Sequence, residues 1–360
     1  MPPSTRKSGF VRSLLLTVAS LAAVGAMACG GSGEAKTVAL TGAGATFPYP
    51  IYSKWFDAYY RSTGNQVNYQ SLGSGAGVKQ FTEGTVDFGA TDGPMTDAEI
   101  AAMNGAVYHI PTVLGANAVT WNLPSLGKTQ LRFDAPTLAD IFLGKIKKWN
   151  DPQLAALNPG VTLPDKDLLV VHRSDGSGTT YIWTDYLSTV SEEWKTKVGH
   201  GKSVNWPVGL GGKGNEGVTQ QVKQVEGTIG YVELIYAIAN DLPYAAIKNK
   251  SGNFVAPTLE SVSAAAAGIA LPPDTDFRVS IVDAAGANAY PVASFTWLLI
   301  HPDLPDADKA KAIKEFLTWM TGPEAAAMAS ELHYAPLPAS VLELVKVRLA
   351  TLKAAGAVIE

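Results

Sequence analysis

A short apolar, β-rich run that breaks into a glycine-rich turn and resumes as a helix recurs along this chain. That recurrence restricts the fold more than any other feature. Residues 168–171 lead into Val171-His172-Arg173-Ser174-Asp175-Gly176-Ser177-Gly178-Thr179-Thr180, after which Tyr181, Ile182, Asp185 and Tyr186 take helix-face spacing. Residues 37–40 lead into Thr41-Gly42-Ala43-Gly44-Ala45-Thr46-Phe47-Pro48, and a helix pattern runs from Ile51 through Trp55 and Tyr59 to Gly64-Asn65. Residues 67–70 lead into Gly73-Ser74-Gly75-Ala76-Gly77, followed by a helix carrying Val78 and Phe81. A further cluster, Gly209-Leu210-Gly211-Gly212-Lys213-Gly214-Asn215-Glu216-Gly217, precedes a helix expected over residues 218–225. Strands alternating with helices build an α/β sheet with parallel pairing.

Each such turn gathers free backbone N–H groups at a helix start, where the helix dipole adds partial positive charge. Glycine lets the backbone approach a ligand closely, and successive N–H groups can converge on an anion. Arg173 adds a planar fork that suits a phosphate or a carboxylate. Residues 171–180 therefore read as one wall of an anion site. Strand-to-helix turns also exist only to close a helix onto its sheet. That plainer reading accounts for the glycines near residue 44 but not for the hydroxyl of Thr46 at the mouth of the turn.

The 360 residues exceed what one hydrophobic core usually serves, so two domains are expected. With 46% hydrophobic and 17% charged residues, the composition is globular, neither disordered nor multiply membrane-spanning. A net charge of -4 supplies no basic field for nucleic acid, so an anion must be held by local design. At the N-terminus, Arg6, Lys7 and Arg12 precede an apolar stretch over residues 14–28, too short for a membrane span. Ala26-Met27-Ala28 is a small-x-small cleavage signal, so residues 1–28 read as a signal peptide. Cys29, the single cysteine, follows directly. A lone thiol is odd in an exported protein but expected as the lipidated first residue of a lipoprotein. Residues 29–36 then read as a lipidated N-terminus and tether, placing the protein outside the cytoplasm on a membrane anchor.

Residues 86–90 read as a short strand that ends in Thr91-Asp92-Gly93-Pro94. Asp92 stands at a strand's C-terminal end, where α/β folds place ligand sites, although a solvated turn aspartate would look the same. Thr96-Asp97-Ala98-Glu99 opens a helix with an N-cap and early acids. Two extended apolar stretches, residues 107–120 and 290–300, could carry the chain between domains, with His109 as a core or hinge residue. Lys145, Lys147 and Lys148 read as a solvated face or a partner contact. Residues 228–232 form a buried strand, and residues 306–320 and 341–352 form late helices.

The familiar catalytic motifs fail. Gly201-Lys202-Ser203 ends like a phosphate-binding Walker loop, but Thr196 stands where its first glycine belongs. Ser177 is flanked two residues away by Asp175 and Thr179, so it is no nucleophile elbow. His109, His172, His200, His301 and His333 show no metal spacing. A Ser–His pair assembled by folding stays open, and with it a phosphohydrolase.

Taken in order, the turns resemble those of the substrate-binding protein of the bacterial phosphate-specific ABC transporter. The resemblance rests on the segments around Thr46 and Ser74, on Val86-Asp87-Phe88-Gly89-Ala90-Thr91-Asp92, on Asp175-Gly176-Ser177-Gly178-Thr179 and on Gly211-Gly212-Lys213-Gly214-Asn215. It implies an α/β, two-lobed type II periplasmic binding protein fold with two crossover hinge strands. Lobe I would be residues 37–113 plus 290–360, and lobe II residues 114–289. It also implies the ligands: the Thr46 hydroxyl, the Phe47 N–H, Ser74, the acceptor Asp92, the cation Arg173 oriented by Asp175, and donors from Ser177, Gly178 and Thr179. The implied partners are inorganic phosphate and permease subunits in the inner membrane. The implied protein is a monomer without enzymatic activity, cofactor, metal or nucleic acid. A binding protein for sulfate, molybdate or another oxyanion is the nearest alternative.

Overall fold

The computed structural model describes residues 37–103 and 105–359, so the expected signal peptide, Cys29 and the tether lie outside the described residues. The chain opens with β1 (Ala39–Gly44), α1 (Tyr49–Thr63), β2 (Gln66–Ser71), α2 (Ser74–Thr82), β3 (Phe88–Thr91), α3 (Asp97–Ala101) and the long β4 (Tyr108–Trp121). α1 buries Ile51, Tyr52, Trp55, Phe56 and Tyr59, the stripe that a 3.6-residue repeat predicts. It stops at Gly64, whose φ of 77° is the left-handed conformation glycine adopts at little cost. α3 opens with a capping box: Thr96 Oγ1 accepts the Glu99 N–H while the Glu99 carboxylate accepts the Thr96 N–H.

The second stretch contains β5 (Arg132–Phe133), α4 (Ala135–Phe142), α5 (Pro152–Leu157), β6 (Leu169–Arg173), α6 (Gly178–Val190) and α7 (Glu192–Lys197). It continues through β7 (Leu210–Gly212), α8 (Gly214–Gln224), β8 (Thr228–Glu233), α9 (Leu234–Ala239), β9 (Ala246–Lys248), β10 (Phe254–Val255) and α10 (Leu259–Ala267). The chain then returns along β11 (Ala293–Ile300) and finishes with β12 (Asp303–Leu304), α11 (Ala307–Met320), α12 (Pro323–Glu331), α13 (Ala339–Leu349), β13 (Lys353–Ala354) and β14 (Ala357–Val358).

Eight strands form one sheet in the order β2-β1-β3-β11-β4-β8-β6-β7. β1 pairs in parallel with β2 and β3, and β6 pairs in parallel with β7 and β8. β4 joins the two halves: Tyr108 to Ala116 face β11, and Asn117 to Trp121 face β8, both antiparallel. The β4–β11 ladder shifts register between Thr296 and Trp297. On the β1 side, Phe316 of α11 packs against Phe56, Tyr59 and Phe88. On the β8 side, Trp183 stacks on Tyr231 at 5.4 Å and meets Phe142 at 5.0 Å.

Among the element boundaries that differ from the sequence expectation, two lie in the glycine-rich segments. β1 runs on through Gly44, so Gly42 lies in a strand and not in a turn. A Cβ there would sit 2.2 Å from the Phe88 ring, so this glycine serves close packing. α8 begins at Gly214, four residues before the expected start, because Asn215 is pinned by side-chain bonds that outweigh the weak helix propensity of a glycine-rich run. His109 is 2% exposed, and its Nε2 accepts the Met95 N–H at 3.1 Å. In the basic run, Lys145 pairs with Asp140 and Glu193, and Lys148 with Asp165.

Candidate anion-binding site

The expected ligands fall at the C-terminal ends of parallel strands, where such sheets place binding sites. Thr46 and Phe47 follow β1, Ser74 follows β2, Asp92 follows β3, and Arg173 ends β6. Ser177 caps α6 with its Oγ, which accepts the Thr180 N–H at 3.0 Å, and Gly178 and Thr179 open that helix. The strands bring these ends to one place, and all eight proposed ligands are buried.

Two chains of contacts define the geometry. In the first, Ser74 Oγ accepts the Asp92 N–H at 3.2 Å and lies 3.3 Å from Asp92 Oδ2. A Cβ on Gly178 would stand 2.5 Å from both Asp92 Oδ2 and Ser74 Oγ, so the start of α6 presses directly on that pair. In the second, Asn215 Nδ2 donates to Thr46 Oγ1 at 2.8 Å and to Thr179 Oγ1 at 3.1 Å. Arg173 Nη1 donates to the same Thr179 oxygen at 3.2 Å. Gly178 and Thr179 are consecutive, so the two chains meet at the start of α6.

Arg173 is held from the other side. Its Nε and Nη2 donate to the two oxygens of Asp175 at 2.8 and 2.5 Å, the bidentate geometry expected of a guanidinium and a carboxylate. Burial pushes the Asp175 carboxyl up, but the Arg173 bonds and charge outweigh it and hold the group below its ordinary value. Gly214 N–H also donates to Asp175 at 3.0 Å. Asp92 is different. Burial raises its pKa to about 7, against the lowering effects of the Thr296 hydroxyl, the Arg173 charge and Ser74. Thr296 Oγ1 donates to Asp92 Oδ1 at 2.8 Å; Trp297 pairs with Thr91 in the antiparallel β11–β3 ladder, which brings Thr296 beside Asp92.

Glycines let the two halves close on each other. Gly75 N–H donates to Gly176 O at 2.8 Å, and a Cβ on Gly73 would meet Asp175 Oδ2 at 2.2 Å. Lys202 Nζ reaches across to Glu99 at 2.9 Å and to Pro94 O at 3.0 Å, and Arg278 reaches Asp97 at 2.7 Å. His109 and His172 spend ring nitrogens on the Met95 N–H and near the Arg173 carbonyl, and His172 stacks on Trp206.

Four further residues belong to the site that the sequence reading did not single out: Asn215, Thr296, Glu233 and Tyr236. Tyr236 OH donates to the Thr46 carbonyl at 2.6 Å and touches Glu216 Oε1 at 3.0 Å. Glu233 is wholly buried, which pushes its carboxyl well above the ordinary range, and its backbone N–H donates to Asn215 Oδ1 at 2.9 Å.

The PBP superfamily domain matches residues 30–324. The chain is 47% identical over 318 residues to the phosphate-binding protein PstS of Pasteurella multocida, covering 88% of this chain and 91% of that protein. The chain belongs to this family of phosphate-binding proteins. The family's PstS of Haemophilus influenzae is 45% identical, with 87% of this chain and 92% of that protein covered, and the archaeal PstS of Methanocaldococcus jannaschii is 41% identical over 79% of each. A solved phosphate-binding protein of Stenotrophomonas maltophilia is 21% identical with a TM-score of 0.69, covering 90% of this chain and 96% of that one. A high-affinity periplasmic phosphate-binding protein solved with phosphate is 20% identical with a TM-score of 0.70, covering 86% and 93%. Both share the two-lobed α/β fold of this chain.

Proposed function

We propose that the protein captures inorganic phosphate at this site and delivers it to the permease of an ABC transporter, acting as a binding protein and not as an enzyme. The observation that supports this most is the asymmetry of the site. Hydroxyls of Thr46, Ser74 and Thr179, the Arg173 guanidinium and the start of α6 are gathered around Asp92, a carboxylate 1% exposed. Phosphate near neutral pH carries at least one proton and sulfate carries none. An ionised carboxylate offers only acceptors, so Asp92 takes the phosphate proton and repels a bare sulfate oxygen. Each charge-assisted bond contributes about 1.5–3 kcal/mol, so several together offset desolvation of a small dianion.

In this reading Thr46, Ser74, Ser177 and Thr179 donate through hydroxyls, Phe47 and Gly178 through backbone N–H groups, and Arg173 through a guanidinium that Asp175 holds flat. Lobe I comprises residues 37–113 plus 290–360 and lobe II residues 114–289, with β4 and β11 as the crossover strands. Phosphate bridges the lobes and favours the closed form, which presents itself to the permease as a monomer. The protein works outside the cytoplasm, anchored through a lipid on Cys29. No helix of the described residues is long and apolar enough to cross a membrane.

Titration calorimetry of the purified protein tests the reading: phosphate binds in the micromolar range or tighter and sulfate far more weakly. Comparable affinity for sulfate would overturn the role given to Asp92. Mass spectrometry of the mature N-terminus tests lipidation, and an unmodified Cys29 would remove the anchor.

A further inference from the structure

Asn215 is wholly buried between the Thr46 and Thr179 hydroxyls. Its orientation is set by chemistry. The Glu233 backbone N–H can only donate, and it lies 2.9 Å from Asn215 Oδ1. The amide oxygen therefore faces Glu233, and the Nδ2 group faces the two threonines with one proton for each.

The threonine oxygens are then filled. Thr46 Oγ1 accepts from Asn215 Nδ2 at 2.8 Å and from the Asn215 backbone N–H at 3.1 Å. Thr179 Oγ1 accepts from Asn215 Nδ2 at 3.1 Å and from Arg173 Nη1 at 3.2 Å. A hydroxyl has two lone pairs and one proton. With both lone pairs occupied, each threonine has only its proton left to give. Thr46 is 3% exposed and Thr179 is 0% exposed, so bulk water does not compete for these positions.

We infer that Asn215 is a positioning residue that turns the Thr46 and Thr179 hydroxyls into obligate donors toward the bound anion. The inference rests on the phosphate reading and adds to it. An obligate donor cannot accept from a protonated ligand oxygen, so neither threonine tolerates the phosphate proton. That proton is directed to Asp92, and the ligand's orientation and protonation state are fixed together. Asn215 also ties a hydroxyl after β1 to one at the start of α6, so both donors come into aim as the two halves meet.

The test is phosphate affinity by calorimetry at pH 6 and pH 8.5, on wild type, Asn215→Ala and Asn215→Asp. In Asn215→Ala each threonine regains a free lone pair and can accept a proton from the dihydrogen form. Its affinity should fall about tenfold at pH 8.5 and clearly less at pH 6, relative to wild type at each pH. A purely structural loss would be equal at both values, and equal losses, or none, would overturn the inference. Asn215→Asp keeps the shape but offers acceptors where donors stood, drawing a threonine proton away from the anion. It should weaken binding by about 10- to 100-fold, and by less once Thr46→Val has removed one of its two targets. Full cost in the valine background would equally overturn it, and this arm stands if Asn215→Ala does not fold. Wild type that failed to bind phosphate would sink the phosphate reading itself, whereas normal wild-type binding with an unaffected Asn215→Asp would remove only the role of Asn215.

Discussion

Acid should erode the discrimination against sulfate, and the pH at which it does so follows from Asp92. Burial raises this carboxyl to about 7. A single site with that midpoint is protonated in roughly one molecule in ten at pH 8 and nine in ten at pH 6. An ionised Asp92 repels a sulfate oxygen, whereas a protonated one donates to it. Apparent sulfate affinity should therefore rise about tenfold from pH 8 to pH 6, roughly 1.4 kcal/mol, and level off below pH 6. Phosphate brings its own proton and should change much less over the same range. Asp92→Asn removes the titration and leaves an amide donor. It should bind sulfate at every pH about as well as wild type does at pH 5, while keeping much of its phosphate affinity. Calorimetry from pH 5 to 8.5 at constant ionic strength reads both ligands. A flat sulfate profile in wild type, or the same slope surviving in Asp92→Asn, would refute the reasoning.

Gly178→Ala should leave the fold intact, since alanine suits a helix, yet weaken phosphate binding more than about 100-fold, because its Cβ would meet Asp92 and Ser74 at 2.5 Å; circular dichroism with calorimetry separates the two effects. The raised Asp92 pKa means the folded state keeps a proton that the unfolded chain gives up near 3.8, so stability from this group is lost as pH rises toward about 7. Asp92→Asn should then stabilise the protein by roughly 1–3 kcal/mol at pH 8 and hardly at all at pH 4, measured by denaturant unfolding in phosphate-free buffer. Burial, and then the Arg278 charge, lower His109 to about 4, so the unfolded chain takes up a proton from 6.5 downward while the folded state refuses it. Against the opposite contribution of Asp92, His109 by itself should lower stability by roughly 3 kcal/mol between pH 6.5 and pH 4, read as the difference in slope between wild type and His109→Gln in the same measurement. Lys202→Met, which breaks the contact to Glu99, should speed phosphate release by about three- to tenfold in stopped-flow measurements.

Much of the candidate site is legible in the sequence because its proposed donors sit in turns that announce themselves. Thr46, Ser74 and Ser177 each stand where a strand gives way to a helix among glycines, and those glycines have a physical task that leaves a local mark. Asp92 is legible because it ends a strand. Asn215 is partly hidden. Its neighbours Gly211, Gly212, Gly214 and Gly217 depress helix propensity, so the pattern places the helix at residue 218, past the residue that matters. Thr296 is hidden completely, since it sits in a strand buried on both faces and meets Asp92 only through the pairing of β11 with β3. Glu233 does carry a signal, a charged residue closing the apolar strand Thr228–Glu233, in the position where such folds place functional groups. The close fit of Gly42 against Phe88 is a tertiary contact that no local pattern encodes.

β4 exchanges one partner for the other between Ala116, opposite Ala293, and Asn117, opposite Glu233, with no unpaired residue in between. Asn117 also donates to the Thr179 carbonyl at 2.8 Å, so the joint touches the helix proposed to hold the anion. A pivot made of continuous ladder bends like a leaf spring and does not flop like a string. If the protein carries phosphate as proposed, such a pivot would let it return to its receptive shape without a search among loop conformations once the anion leaves.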